Sequence, residues 1–320
     1  MIGNWSEIER IGWKALLIGN GFSIGVSSKF RYESLLNQVD VMGILMYPHA
    51  RSLFNDGKVG TSNFEEVLRV IYHAHLVNFY NLDAIKQLYL NVQKSLIEAV
   101  RASHVSHSEV PTKEVAKALE GYSEIYTTNY DLIPYWSLMG ASFSGFCDYF
   151  WSGNCEFDLA NIALWGGKTP IYYLHGAIHL KTSPDGTVYK VTAKDDSSLS
   201  DIVGANDMGD IPLFISEGKS EIKLRRIREN YYLSFCYESL LSCSKNIVIF
   251  GHGLDKEYDE HILKALKSSP LKKIAISVYS GMNAEAKLAF ASNIKAYLAG
   301  AGKELLFFES DTHPLSLPKA

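Results

Sequence analysis

Six short runs of apolar and β-branched residues punctuate the chain: Lys14–Ile18, Glu124–Thr128, Ile171–Leu174, Asn246–Phe250, Lys273–Tyr279 and Glu304–Phe308. Apolar runs of this length are the mark of strands covered on both faces. Stretches with helical periodicity separate them. The pattern predicts an α/β fold with a Rossmann-like, mostly parallel sheet. The interval between the first two runs is too long for one crossover. Its apolar spacing predicts helices over Ser62–Tyr80 and Leu82–Ser103, the second carrying Leu88, Val92, Leu96 and Val100 on one face. Ser62 and Glu65 have the spacing of a capping box. A third helix is expected over Lys113–Leu119, with Thr112 at its start and Gly121 past its end. Residues 39–107 thus read as a helical insertion within one composite domain spanning 1–320.

Two irregular segments complete the outline. Residues 143–167 are rich in Gly, Ser, Trp and Phe and are expected to form a lid or small lobe. Pro184-Asp185-Gly186, between strand-like arms, signals a hairpin.

Composition narrows the function classes. With 320 residues, a net charge of −4 and a pI near 6.2, nothing in the charge balance calls for nucleic acid or an anionic membrane as partner. No apolar run reaches bilayer-spanning length, and the first residues lack a signal pattern, so a cytoplasmic location is expected. Cys147, Cys155, Cys236 and Cys243 show no Cys-x-x-Cys spacing and are expected to be buried thiols rather than zinc ligands.

The candidate chemistry gathers where strands end. After the first strand, Gly19 and Gly21 open a glycine-rich turn, but Ile24 stands where a dinucleotide fingerprint has its third glycine, which arrives late as Gly25. Asp40 lies at the distance of a ribose-binding acid, yet its segment does not read as a strand. "GGKTP" at 166–170 is no Walker loop, because Ile162 occupies the required glycine position. After the second strand comes "TTNYD", with Thr128, Asn129 and Asp131. His175-Gly176 follows the third, and Gly251-His252-Gly253 the fourth. Open α/β sheets bind ligands at this carboxyl-end crevice.

The series Gly19-Asn20-Gly21-Phe22-Ser23, Phe30-Arg31, Thr128-Asn129-Tyr130-Asp131, His175-Gly176 and Gly251-His252-Gly253 resembles the sirtuin-like NAD-binding family. "SNFEEVL" at 62–68 is similar to bacterial sirtuin-like proteins associated with phage defence. The zinc cysteines of the deacylating members are absent, Asn20 and Tyr130 depart from the deacylase pattern, and no acyl-peptide groove motif follows Gly253. The resemblance therefore implies the divergent branch that hydrolyses NAD. An NAD+ glycohydrolase is expected, with NAD as substrate, no metal, and activation through a sensor partner or homo-oligomerisation. Two alternatives stay open: a module that binds NAD or ADP-ribose without turnover, and a protein deacylase.

The resemblance also implies site roles. Asn129 would hold the ribose hydroxyls or the attacking water, and His175 would act as base. Asp131 would bind the nicotinamide carboxamide or hold Asn129, unless it merely caps the helix starting near Leu132. Gly19, Asn20, Gly21, Phe22 and Ser23 would cradle the pyrophosphate through backbone N–H groups. Thr128 and Arg31 would contact the ligand, Gly251 and Gly253 would admit its adenosine half, and Ser280 would bind the adenine ribose. His175 and His179 are not expected to bind metal, since they straddle a strand end. His73, His75, His104 and His107 read as surface or helix-packing residues. The run 219–230 reads as a solvated helix face, with "YYLSFCYESLL" as its buried side.

Overall fold

A computed structural model describes residues 2–317, except 32–33, 56, 143, 165–166, 193–209 and 217. The strands are β1 (Ile2–Gly3), β2 (Ala15–Ile18), β3 (Glu124–Thr127), β4 (Phe146–Cys147), β5 (Thr169–Tyr173), β6 (Gly176–Thr182), β7 (Val188–Lys190), β8 (Ile211–Phe214), β9 (Ile247–Phe250), β10 (Lys273–Val278) and β11 (Glu304–Glu309). Eight of them form one sheet in the order β1-β11-β10-β9-β2-β3-β5-β4, and every pairing in it is parallel. All six expected runs are strands of this sheet, with ends that differ by one or two residues. β1 and β4 were not foreseen, because two residues are too few to show a period.

The helices are α1 (Trp5–Ile8), α2 (Asn20–Val26), α3 (Leu35–Val41), α4 (Pro48–Arg51), α5 (Phe64–Val77), α6 (Leu82–Ser103), α7 (Thr112–Leu119), α8 (Ile133–Gly140), α9 (Ser220–Glu229), α10 (Tyr231–Leu241), α11 (Lys256–Ser268) and α12 (Ala284–Leu298). α3 to α6 fill the long interval before β3. α5 starts later than expected, because Asn63 rather than Ser62 caps it by accepting the Glu65 amide at 3.1 Å. The 231–241 stretch is not the buried side of the basic helix. It forms α10, begun by Asn230, whose carboxamide accepts from the Tyr232 and Leu233 amides. The hairpin forms as expected between β6 and β7, which join β8 in a three-stranded antiparallel sheet. In the 143–167 segment, Tyr149, Phe150 and Phe157 are buried against Tyr232 and Phe235 of α10.

The topology places the site. β2 is central, and the chain runs from it to β3 and β5 on one side before returning to β9 on the other. The winding therefore reverses at β2, where parallel sheets open a crevice at the strands' carboxyl ends. β2 and β9 are buried at every residue, so their side chains build the core and leave the chemistry to the turns that follow. Among the described residues, no helix is long and apolar enough to cross a membrane.

Candidate functional site

At the exit of β2 the backbone is packed hard against the exit of β9. The Gly21 amide donates to the Gly251 carbonyl at 2.7 Å. A Cβ on Gly19 would lie 2.6 Å from His252 Cα, and one on Gly21 would lie 2.7 Å from the Gly251 oxygen. Gly251 has φ of +67°, and a Cβ there would meet the Phe22 nitrogen at 2.4 Å. These glycines serve the contact between two turns. Three of the five amides expected to cradle the ligand, those of Gly19, Gly21 and Phe22, are already donated to Phe250, Gly251 and Gly19. Gly25 and Gly253 have open space around them, so no packing demand explains either.

Ser23 departs further from expectation. Its side chain is fully buried and points inward from α2. Its hydroxyl donates to Asp131 Oδ2 at 2.5 Å and accepts from Asn129 Nδ2 at 2.7 Å. Asp131 Oδ1 accepts the Ile133 amide at 2.9 Å, which makes it the cap of the turn into α8 as well. Both of its oxygens are thus engaged within the protein. Asp131 therefore holds Asn129 through Ser23. Burial pushes the Asp131 carboxyl above its ordinary range, against neighbouring His104 and the two donors. Burial likewise holds His104 below the usual histidine value. Its Nε2 accepts the Leu132 amide at 3.0 Å, and its Nδ1 meets the Val105 carbonyl at 2.8 Å.

The outcome of this chain is the orientation of Asn129. With Nδ2 turned to Ser23, its Oδ1 is buried without a hydrogen-bond partner among the described residues. A buried acceptor left open in this way is rare and calls for a donor. Asn129 lines a cleft of about 260 Å³ with Asn20, Thr128, His175, Lys223 and Asp259.

His175 enters the cleft from the turn between β5 and β6. Gly176 makes that turn possible: its φ is +71°, and a Cβ would sit 2.1 Å from the Leu213 carbonyl oxygen. The His175 carbonyl accepts the Ile215 amide at 2.8 Å. Burial holds the imidazole neutral, well below the ordinary histidine value, and nearby Lys223 adds to the effect. Its Nε2 meets His261 Nε2 of α11 at 2.8 Å. His179 is elsewhere, buried inside β6 and stacked on Tyr135.

A second cleft, of about 420 Å³, lies across the same turn at the ends of β9, β10 and β11. Arg31, Ser280, Phe290 and Asp311 line it, and Gly21, Gly251, His252 and Gly253 line both clefts. Phe22 also borders the second cleft, from within α2. The expected residues thus divide into two groups on either side of one turn. Asn20, Thr128, Asn129, Asp131 and His175 lie on one side, with Arg31 and Ser280 on the other.

The chain belongs to the DUF4917 family. That family is described as a domain of unknown function, and its sequence model matches residues 16–315. No curated protein matches. The matched span of the DUF4917 domain holds every residue of both clefts described above except Ser316 and Leu317.

Three residues of the site were not foreseen. Lys223 was placed on a solvated face, yet it is buried and its ammonium meets Asp259 Oδ1 at 3.2 Å. Arg226 of the same run is also withdrawn from solvent, facing Glu65 and Glu66. The available signal was the spacing of Ser220, Lys223 and Ile227, a buried stripe at helical period. His261 and Asp259 lie at a break in α11, where Asp259 has non-helical φ of −134°. Nothing in their spacing pointed to the cleft.

His175, Asp259 and His261 bring ligand atoms within 4.8 Å of one another, a spacing that a metal ion can bridge. Lys223 places a cation beside Asp259, and His261 Nδ1 is engaged with Ser220 Oγ at 2.9 Å. Asp259 Oδ1 and His261 Nδ1 thus have partners outside the trio, while the two Nε2 atoms face each other within it.

Proposed function

We propose that this chain is an NAD+ glycohydrolase, cleaving the nicotinamide–ribose bond to release nicotinamide and ADP-ribose. The observation that carries the reading is Asn129: its buried Oδ1 is open, and a relay from Asp131 through Ser23 aims it. An uncharged acceptor suits a ribose hydroxyl or an attacking water, because it orients either without taking its proton. Two clefts joined at one glycine turn suit a ligand of two halves linked by a bridge. Asn129 and His175 would face the nicotinamide ribose, with the adenosine half beside Ser280.

In the reaction the C1′–N bond breaks and its electron pair leaves with nicotinamide as a neutral molecule. The oxocarbenium-like ribose takes a water oxygen at C1′, and the water gives up a proton. His175 is neutral and so can accept that proton at Nε2 once its bond to His261 is relinquished. Asn129 holds the hydroxyl that fixes the ribose in register.

The test is nicotinamide release from NAD+ by the purified full chain. Turnover that Asn129→Ala and His175→Ala each reduce by 100-fold or more would support the reading. Undiminished turnover in those variants would overturn the site. A second reading, binding without turnover, draws on the engagement of His175 Nε2 with His261. It predicts calorimetric binding of NAD+ or ADP-ribose with no nicotinamide formed.

A further inference from the structure

The outer end of the α5–α6 pair departs from the rule that a surface helix keeps one face polar. α5 buries Phe64, Val67, Leu68 and Ile71, as an amphipathic helix should. Yet Val70, Ala74 and Val77, spaced i, i+4 and i+7, form a second apolar stripe, and all three are exposed. The stripe runs into the connection to α6, where Leu76, Phe79, Tyr80 and Leu82 are exposed as well. Phe79 and Tyr80 stand out at 83 % and 93 % exposure. From Val70 to Leu82 the chain carries no Asp, Glu, Lys or Arg.

The turn that presents the two rings is fixed. Asn78 Oδ1 accepts from the Tyr80 and Asn81 amides at 3.0 and 2.9 Å. Anchors ordered in advance lose less entropy when they are covered. The tip is also remote from both clefts. α6 has 22 residues and so is about 33 Å long, and it is the opposite end that meets the site, through the bond of His104 to the Leu132 amide.

Size and charge say what covers the tip. Taking about 200 Å² for each ring and about 100 Å² for each of Val70, Leu76, Val77 and Leu82, these exposures leave about 600 Å² of apolar surface in water. That is the upper end of the largest patch on a typical monomer. Interfaces are about 60 % apolar, so the patch suits a contact of about 1,000 Å² per protomer, enough for a stable pair. An anionic membrane is drawn by Lys and Arg, but none lies between Arg69 and Lys86, and Asp83 borders the patch. A second copy of the chain meets no such obstacle. An uncharged patch faces its own image across a two-fold axis without bringing like charges together.

We propose that the α5–α6 tip is a self-association surface, through which two copies of this chain pair about a two-fold axis with Phe79 and Tyr80 as anchors. The pairing stands apart from the reaction proposed above, since neither cleft contributes a residue to it.

The test is sedimentation velocity of the full chain from about 1 to about 100 µM. The expected result is a species of twice the 35.8 kDa chain mass forming within that range. Phe79→Asp combined with Tyr80→Asp should raise the dissociation constant by about 100-fold or more. The urea midpoint of the dissociated chain should stay unchanged, because both side chains are exposed. Leu288→Asp, at an exposed leucine of α12, should leave the association as it is. A wild-type monomer at the top of the range would overturn the proposal, as would an oligomer that the double replacement leaves intact. Flotation on phosphatidylglycerol vesicles that the double replacement abolishes, with no dimer in solution, would overturn it in favour of a lipid surface.

Discussion

Replacing Ser23 with alanine removes one oxygen atom from a site with no access to solvent. The change leaves two polar atoms stranded: Asn129 Nδ2, which loses its acceptor at 2.7 Å, and Asp131 Oδ2, which loses its donor at 2.5 Å. Each stranded buried group costs about 1–3 kcal/mol, so Ser23→Ala should lower the unfolding free energy by about 2–6 kcal/mol. The van der Waals loss is small by comparison, since the methyl group stays. Urea unfolding measures the effect, with an unchanged denaturant slope showing that the native state keeps its compactness. A double-mutant cycle with Asp131→Asn separates the relay from its parts and should give a coupling energy of about 1 kcal/mol or more. The ligand arm is independent. On the function proposed above, Asn129 with its carboxamide no longer aimed should hold ADP-ribose about ten-fold more weakly by calorimetry, in line with the loss of one directed hydrogen bond. A folded Ser23→Ala protein with stability within about 0.5 kcal/mol of wild type and no coupling to Asp131 would refute the relay.

Three further outcomes follow from the same geometry. Gly251→Ala should destabilise by about 2–5 kcal/mol, because it combines a positive φ with a Cβ 2.4 Å from Phe22 nitrogen, whereas Gly25→Ala in open space should be neutral or stabilising by up to about 1 kcal/mol; thermal unfolding distinguishes them. His261 and His313 are buried, with pKa values held down to about 3. A histidine lowered in the folded state contributes its full stability above about pH 6.5 and loses it as the unfolded chain takes up protons below that. Together they should cost about 3 kcal/mol between pH 7.5 and pH 5.5, and denaturant titrations showing no loss over that window would contradict the burial. Lys223→Met should cost about 3 kcal/mol by stranding Asp259, and Asp259→Leu added to it should recover part of that loss, both read by urea unfolding.

Much of this protein was legible in one dimension. The six central strands could be read because strands buried on both faces demand continuous apolar runs, a local property of the chain. Asn129, Asp131 and His175 stood out because polar residues directly after such runs arrive at one edge of a parallel sheet, whatever the rest of the fold does. α6 was read to its ends because its periodicity is long and sustained. β1 and β4 carry too little pattern to be read, and Asn63 displaced Ser62 because a cap is chosen by the geometry of the entering chain.

What tertiary structure decided was direction and partnership. Gly19 and Gly21 looked like residues waiting for a phosphate and Gly251 like room for an adenosine; the fold presses the two turns together, and that contact is invisible in the sequence. Ser23 and Asp131 are separated by 108 positions in the sequence and joined by a hydrogen bond in the fold. Lys223 reads as one more charge in a basic run until α9 turns it inward onto Asp259. His261 has no local signature at all. Residue type and strand position are written locally and survive in the sequence, whereas which atom donates to which depends on where distant turns converge, and that is set only when the sheet closes the chain upon itself.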